Sequence, residues 1–509
     1  MNARVVRPLP RFSERQVFIL LSCLSVGAAF VALWMTSSIN PLRGDSAEYL
    51  YFDPSRTVGY PAFLSLFRLA TGHVALAVPA QILLLATSLL LLSWSFHRLV
   101  RRPAYTIAFQ LLILANAGMW FTAAFLMTEA LSTALVALWC AQLLRMVRKP
   151  RSYRLLVAIS CVATMVRPSL LALFFGTALF ALVAEPARSR ARAITMTVAG
   201  FVAAWSATAI AQLIVHGSAH TTSPLARGVL QHTLYCDPQT VPSNADSDFV
   251  ERSAEPVRRY IDSAPAEMRE QLRREYSTPL RFGLIIPVLG RRHHLETRSD
   301  VDPYLARIAR ERMIDNPACY AKSVGNEYLR LAVFDTDPTA EDARRVNAFV
   351  KSHPPPEVPQ IPVLAGDDRL ARAAASEVRN APAGLNPLHE ELKVVGNIPL
   401  GALLPFRVLH AVAALIGLLS LLLLPLWQRL GREARNGFAA AAAMGVSLHG
   451  ILAITAIVEI GFYRYLVPCW PLVCTLPVLA AVAVRRASGA QRMVQHEPDF
   501  PPNPMDVPT

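Results

Sequence analysis

Charge is scarce in this sequence. Of its 509 residues 17% are Asp, Glu, Lys or Arg, against 53% hydrophobic, and mean hydropathy is +0.35. That balance excludes a soluble protein of this length and predicts a polytopic membrane protein. The nucleotide-binding loops are missing too: there is no Walker A segment and no GxGxxG fingerprint, so chemistry driven directly by cytosolic nucleotide is not expected. No GxSxG elbow is present. No CxxC, HExxH or paired-His spacing occurs, and the adjacent His293 and His294 have no further ligands at useful spacing, so they read as a solvated loop. No metal or other cofactor is expected. No internal repeat is evident, which weighs against a transporter built from matched halves. The +14 net charge accompanies no soluble basic module with clustered aromatics, so it reads as a topology signal and attraction to anionic lipid rather than nucleic-acid binding.

What is abundant is long apolar sequence. Crossing a bilayer takes roughly 20 helical residues, so the longest runs must be hairpins. Tyr105 to Leu144 is broken by Asn116, Gly118 and Thr128-Glu129, Leu155 to Val183 by Arg167-Pro168, and Gly437 to Val484 by the stretch Glu459 to Arg464. Single runs at Val17 to Thr36, Val78 to Phe96, Ala193 to Val215 and Leu403 to Trp427 bring the total to about ten spans. The first run is too long for a signal-peptide core and no small-residue cleavage site convincingly ends it, so it reads as an uncleaved span. The arginine-bearing segments at residues 4–15, 98–102, 145–154, 188–192, 429–435 and 485–492 then all fall on one side, the cytoplasm, with both termini.

The predicted architecture is all-α. Residues 1–215 form a seven-span membrane module with an outer loop at 37–76, residues 216–395 an extracytoplasmic, mainly helical domain, residues 396–484 a three-span module, and residues 485–509 a disordered cytoplasmic tail. Within the polar domain, helical periodicity runs through Phe249 to Tyr276 and Tyr304 to Met313, and a helix starts near Pro317. Thr339-x-x-Asp342 resembles a capping box, and HPPPEVPQIP (His353 to Pro362) reads as an extended linker or a loop lying on the membrane surface. Of the seven cysteines only Cys236 and Cys319 lie in this domain, and an oxidising compartment favours their pairing. Sequence does not show whether they come within reach of each other.

The same topology puts every polar interruption on the outer face: Asp45, Glu48 and Asp53 in GDSAEYLYFDPSRTVGYPAFL, the turn from Asn116 to Glu129, Arg167, and Glu459 to Arg464. Ionisable groups converging at one bilayer face describe a pocket there. Without a nucleotide site, an enzyme at that face needs an energy-rich substrate delivered in the membrane, and a polyprenyl-phosphate sugar meets the need.

Several of these segments together resemble the GT-C glycosyltransferases, most closely the branch of protein O-mannosyltransferases and the lipid A aminoarabinose transferase. They are Asp45 followed by Glu48-Tyr49, Arg56-x-x-Gly59-Tyr60-Pro61 entering an apolar helix, Thr128-Glu129-Ala130-Leu131, Arg167-Pro168 and Arg464-Tyr465-x-x-Pro468. The likeness covers the first seven spans well, the last loosely and the outer domain hardly at all. The resemblance implies inverting sugar transfer from a polyprenyl-phosphate donor to an extracytoplasmic lipid, glycan or protein acceptor, in the bacterial inner membrane. It implies Asp45 as general base, with Glu48 orienting the acceptor or sharing the proton. Arg56, Arg464 and Arg167 become candidates for holding the donor phosphate, and Glu129 for a second acid. Tyr60 is an acceptor-side candidate or, with Pro61, shapes the turn. Simpler roles stand beside these: helix N-cap for Asp45, dipole attraction for Glu129, interface anchoring for the arginines. Some GT-C enzymes hold a divalent metal on acidic side chains, and Asp45, Glu48 and Glu129 would be the candidates here. A polymerase or ligase using lipid-linked oligosaccharide, a lipid flippase or transporter, and a non-catalytic envelope subunit are the competing readings.

Overall fold

The computed structural model describes residues 12–36, 41–42, 45–148, 153–217, 225–333, 340–359, 361–379, 404–427, 430–458 and 465–495, and every regular element among them is helical. The N-terminal part runs α1 (Glu14–Thr36), the short α2 (Ser46–Leu50), α3 (Gly59–Thr71), α4 (Ala77–Val100), α5 (Pro103–Leu114), α6 (Ala117–Thr122), α7 (Thr128–Arg148), α8 (Tyr153–Val166), α9 (Ala172–Ala184) and α10 (Ala187–His216). The polar segment supplies α11 (Leu225–Thr233), α12 (Ala245–Ser263), α13 (Ala266–Thr278), α14 (Ile286–Arg292), α15 (Arg298–Asp315), α16 (Pro317–Ala332), α17 (Ala340–Ser352) and α18 (Ala365–Arg379). The chain then continues through α19 (Leu404–Leu422), α20 (Leu424–Trp427), α21 (Arg432–Val458) and α22 (Trp470–Gln495).

Six of these helices, α1, α4, α7, α10, α21 and α22, contain stretches long and apolar enough to cross a membrane. The expectation of about ten spans is met only to that extent. The other positions hold shorter apolar helices, Pro103–Leu114, Tyr153–Val166, Pro168–Ala184 and Phe406–Leu422. Two polar interruptions cut them short. Asn116 caps α6, its side chain accepting from Met119 N at 3.1 Å. Pro168 cannot continue α8, and a 3-10 turn, Pro168–Leu171, leads into α9. Both breaks admit polar groups where a continuous span would exclude them.

The membrane module packs around α7 and α21. α7 lies against α4, and α9 against α21, whose residues Ala439 to Ala443 are fully buried. The small side chains let the backbones approach: a methyl group at Gly176 of α9 would stand 2.6 Å from Ala443 O. Trp139 and Trp470 fill the interior, their indole N–H groups bonded to Thr177 Oγ1 and Ile113 O at 3.1 Å each.

The polar segment has a second core around Leu230, Val250, Leu272, Ile286 and Leu305. The helices expected in it are present, including one opening on Pro317, whose cap Asn316 accepts from Cys319 N. Cys236 and Cys319 form a disulfide, with Cα atoms 5.8 Å apart across a sequence separation of 83. The described part of the proline-rich segment forms no regular element, and ties run from it to its own domain: Tyr260 Oη donates to His353 O at 2.9 Å and Ile361 N to Gly283 O at 2.8 Å. One helix departs from a separate outer domain. α16 packs on α21 and α19, and its Val324, Tyr328 and Leu331 join the core of the membrane module. Lys322, Glu327 and Arg330 interrupt that stripe and hide it from a hydropathy window. The Thr339–Asp342 capping box, Arg464 and the tail beyond residue 495 lie outside the described residues.

Candidate active site

Asp45 stands at the N-cap position of α2, yet its side chain makes no capping hydrogen bond. Its Oδ2 lies 2.9 Å from Arg56 Nη2 instead. Glu48, one turn on and buried, accepts from Arg56 Nε at 2.6 Å and forms an ion pair through Oε1 with Arg298 of α15. The Arg56 guanidinium also rests over the Tyr49 ring, 4.7 Å from its centroid. Burial opposes the charge on Arg56, but Tyr49, Asp45 and Glu48 together hold the guanidinium well above its ordinary value. It is a fixed cation at the centre of the loop.

The loop is gripped from two sides. From α10, His216 Nε2 donates to Phe52 O at 2.6 Å, and Gln212 Nε2 donates to Pro54 O and Arg56 O at 3.2 and 2.8 Å. From α15, Ser299 Oγ donates to Asp53 Oδ1, which also accepts from Ser55 N and Ser55 Oγ at 2.8 and 2.6 Å. Burial alone would raise the Asp53 carboxyl, but the bonds from Ser299 and Ser55 outweigh it and hold the group below its ordinary value. Between the grips Phe52 adopts φ +48, a left-handed conformation that costs a phenylalanine roughly 1–2 kcal/mol.

The motif that follows is structural. Gly59 permits close approach to α8, since a methyl group there would stand 2.6–2.7 Å from the Met165 carbonyl. Tyr60 is fully buried and its Oη donates to Gln81 Oε1 at 3.0 Å; Gln81 Nε2 in turn donates to Ala123 O and Phe125 O. Tyr60 therefore sits behind the site and braces the turn that leads to Glu129, and the acceptor-side role considered for it is corrected. Glu48 is likewise behind Arg56, with which it pairs, and does not line the cavity.

Glu129 opens α7 and is buried; Arg167 Nη1 lies 3.6 Å from its Oε1. Arg167 packs over the Tyr465 ring, 5.0 Å from the centroid. These two acid–arginine pairs, Asp45–Arg56 and Glu129–Arg167, face one cavity of about 210 Å³. Its remaining walls include Thr164 of α8, Thr208 and Trp205 of α10, and Thr455 of α21, with Leu225 of α11 from the polar segment. Trp205 is 54% exposed and continues the apolar outer face of α10 with Val198 and Val202. The cavity thus has charged groups within and borders a surface suited to lipid. Among the described residues no group of His, Cys, Asp and Glu gathers in metal-holding geometry.

No family model, curated protein or solved structure matches this chain. The site must be read from its own chemistry. Of the residues singled out in the sequence, Asp45, Arg56, Glu129 and Arg167 converge on the cavity, Glu48 and Tyr60 stand behind it, and Arg464 lies outside the described residues. Sequence reasoning missed Gln212, His216, Arg298 and Ser299. A signal existed for the last two: Thr297-x-x-Asp300 is a capping box, with both reciprocal bonds formed, and it places Arg298 and Ser299 in the first turn of α15.

Proposed function

We propose that this protein is a GT-C type glycosyltransferase of the bacterial inner membrane that moves a sugar from a polyprenyl-phosphate donor to an extracytoplasmic acceptor with inversion. The observation that carries this reading is a carboxylate, Asp45, facing a cavity that also holds two arginines and borders an apolar helix face. An acceptor hydroxyl attacks the anomeric carbon while Asp45 takes its proton. The bond from that carbon to the phosphate oxygen breaks, and its electron pair leaves with the lipid phosphate. Arg56 and Arg167 offer planar forks to the departing phosphate, and Glu129 holds Arg167 in place.

Two further features support the sidedness. α7 carries Glu129 in its first turn and Arg145 and Arg148 in its last, about 24 and 29 Å away at helical rise. At that far end Arg148 bonds to Arg98 O, Arg486 to Leu99 O, and Arg98 pairs with Glu14, so the arginine-rich loops meet at the end of the bundle remote from the cavity. A disulfide in the polar segment fits an oxidising compartment.

The test is transfer itself. The purified protein in lipid nanodiscs, given a pool of radiolabelled polyprenyl-phosphate sugars and an envelope extract, should move label into the acceptor fraction. Lack of transfer from every donor in the pool would contradict the reading.

A further inference from the structure

The break between α8 and α9 sets three polar atoms beside the cavity with nothing to bond. Pro168 disfavours a helical conformation at the residue before it, and Arg167 accordingly takes φ −148 and ψ 118. Thr164 in the last turn of α8 and Ser169 in the 3-10 turn beyond border the same cavity as Arg167. Thr164 is 4% exposed and Ser169 8%, and among the described residues Thr164 Oγ1, Ser169 Oγ and Arg167 Nη1 have no hydrogen-bond partner. Glu129 Oε1 stands 3.6 Å from that Nη1, too far for a hydrogen bond. Arg56, by contrast, is already committed. Its Nε donates to Glu48 and its Nη1 to Tyr49 Oη at 3.3 Å, while its Nη2 lies 2.9 Å from Asp45.

We propose that the hydroxyls of Thr164 and Ser169 join Arg167 in a cradle for the phosphate of a lipid-phosphate ligand, so that the α8–α9 break is the phosphate end of the cavity. The inference deepens the glycosyltransferase reading and rests on it for the lipid-phosphate donor. A guanidinium only donates, and each hydroxyl brings its O–H to an acceptor by rotation about its own bonds. Phosphate oxygens accept, and their charge strengthens the bond from each of the three groups. A buried polar atom without a partner costs free energy, and a phosphate bound here relieves that cost at all three atoms. Charge points to the same end. Arg56 is faced by two carboxylates, Asp45 and Glu48, whereas the carboxylate paired with Arg167 stands at the longer distance. The exposed apolar face of α10 at Val198, Val202 and Trp205, of which Trp205 also lines the cavity, gives a lipid tail its place.

Equilibrium binding tests the cradle without turnover. The full-length protein in phosphatidylcholine nanodiscs is titrated with tritiated farnesyl phosphate, with farnesol as the uncharged control and inorganic phosphate as the control without a tail, and empty nanodiscs give the background. The native protein should bind farnesyl phosphate more tightly than either control. Thr164→Val and Ser169→Ala should each raise the Kd for farnesyl phosphate by about tenfold, and the double variant by more, while farnesol binds all four proteins alike. Native affinity for farnesyl phosphate in the double variant would overturn the proposal. So would an equal loss for farnesol, because altered packing would then explain the effect. Inorganic phosphate binding as tightly as farnesyl phosphate would overturn the lipid source, and a native protein with no saturable farnesyl phosphate binding over its own phospholipid would overturn the cradle itself. A protein that holds farnesyl phosphate through these hydroxyls yet transfers no sugar would sustain the cradle and count against the glycosyltransferase reading.

Discussion

At the scale of single residues, the site is a set of acids whose charges are already compensated by neighbours, and the position of each compensator decides which acid is available. Asp45 and Glu129 each pair with an arginine while lining the cavity, and Asp45 is the more exposed of the two, 24% against 4% at the side chain. Asp53 is held by two serines, and Glu48 by two arginines. Tyr60 makes a useful contrast, because sequence places it in the same motif and the structure places it behind the wall. Tyr60→Phe leaves Gln81 Oε1 without that donor in a buried setting, which should cost about 1–3 kcal/mol of stability. Melting curves would show the loss, while the KM for donor should stay near native, since no cavity contact is removed. A large rise in KM would return Tyr60 to the binding surface. Asp45, Arg56, Glu129 and Arg167 were legible in the sequence because ionisable residues beside apolar runs are conspicuous. Arg298 was not, because an arginine in an arginine-rich polar segment carries no local mark of what it will face.

At the scale of elements, the decisive contact is that of α11 with the end of α21. Gly228 lies so close to the Val458 carbonyl that a methyl group would overlap it, and His232, next on the same helix, is buried with Nδ1 2.9 Å from Ser323 Oγ. Burial pushes the His232 imidazole down to about 4, with Arg281 adding to the effect and a backbone bond at Ala456 opposing it. A lowered histidine binds fewer protons folded than unfolded, so its contribution to stability is complete above pH 6.5 and is lost as pH falls toward 4. Asp302 acts in the opposite sense. Burial raises it to about 6, with Asp53 and Glu48 adding to this and Arg227 opposing, so its contribution is complete below pH 3.8 and is lost as pH rises through 6. The partner shift points the other way: burial opposes the charge on Arg227, but Asp302 outweighs it and holds the guanidinium above its ordinary value. The two-bond geometry of the pair favours the ionised form of both at neutral pH. His232→Gln should remove about 2 kcal/mol of the destabilisation that native protein shows on going from pH 7 to pH 5. Equal pH dependence of melting in the two proteins would refute the buried neutral imidazole. The element boundaries at Asn116, Pro168 and Pro317 could be read in advance because caps and prolines act locally. The membrane packing of α16 could not, because its apolar stripe emerges only when every fourth residue is set against α21.

At the scale of the whole molecule, apolar length set the class, and the all-helical fold with six helices long enough to cross a membrane agrees with it. The expected count of about ten depended on treating each polar interruption as a turn between full spans. Where Asn116 and Arg167-Pro168 break the chain, the helices are short, and the second break lines the charged cavity. The polar segment was expected as an outer domain and does have its own core, but it also reaches the Asp45 loop through α15, and the membrane core through α16. The orientation is open to a direct check. Val241 is 88% exposed in the polar segment and Arg102 lies at the arginine-rich end. In a background lacking exposed Cys23, Val241→Cys should react with an impermeant thiol reagent on intact spheroplasts, and Arg102→Cys only after the membrane is opened. The reverse pattern would invert the topology and remove the extracytoplasmic site.

The central claim is that one carboxylate in the first loop performs the proton transfer. Its most direct test is the single-turnover rate of sugar transfer from a defined polyprenyl-phosphate donor by Asp45→Asn beside the native protein, both shown to be folded with the Cys236–Cys319 disulfide intact. The account predicts a fall of roughly 10²- to 10⁴-fold in kcat with donor binding retained. A variant that transfers sugar at the native rate would contradict it.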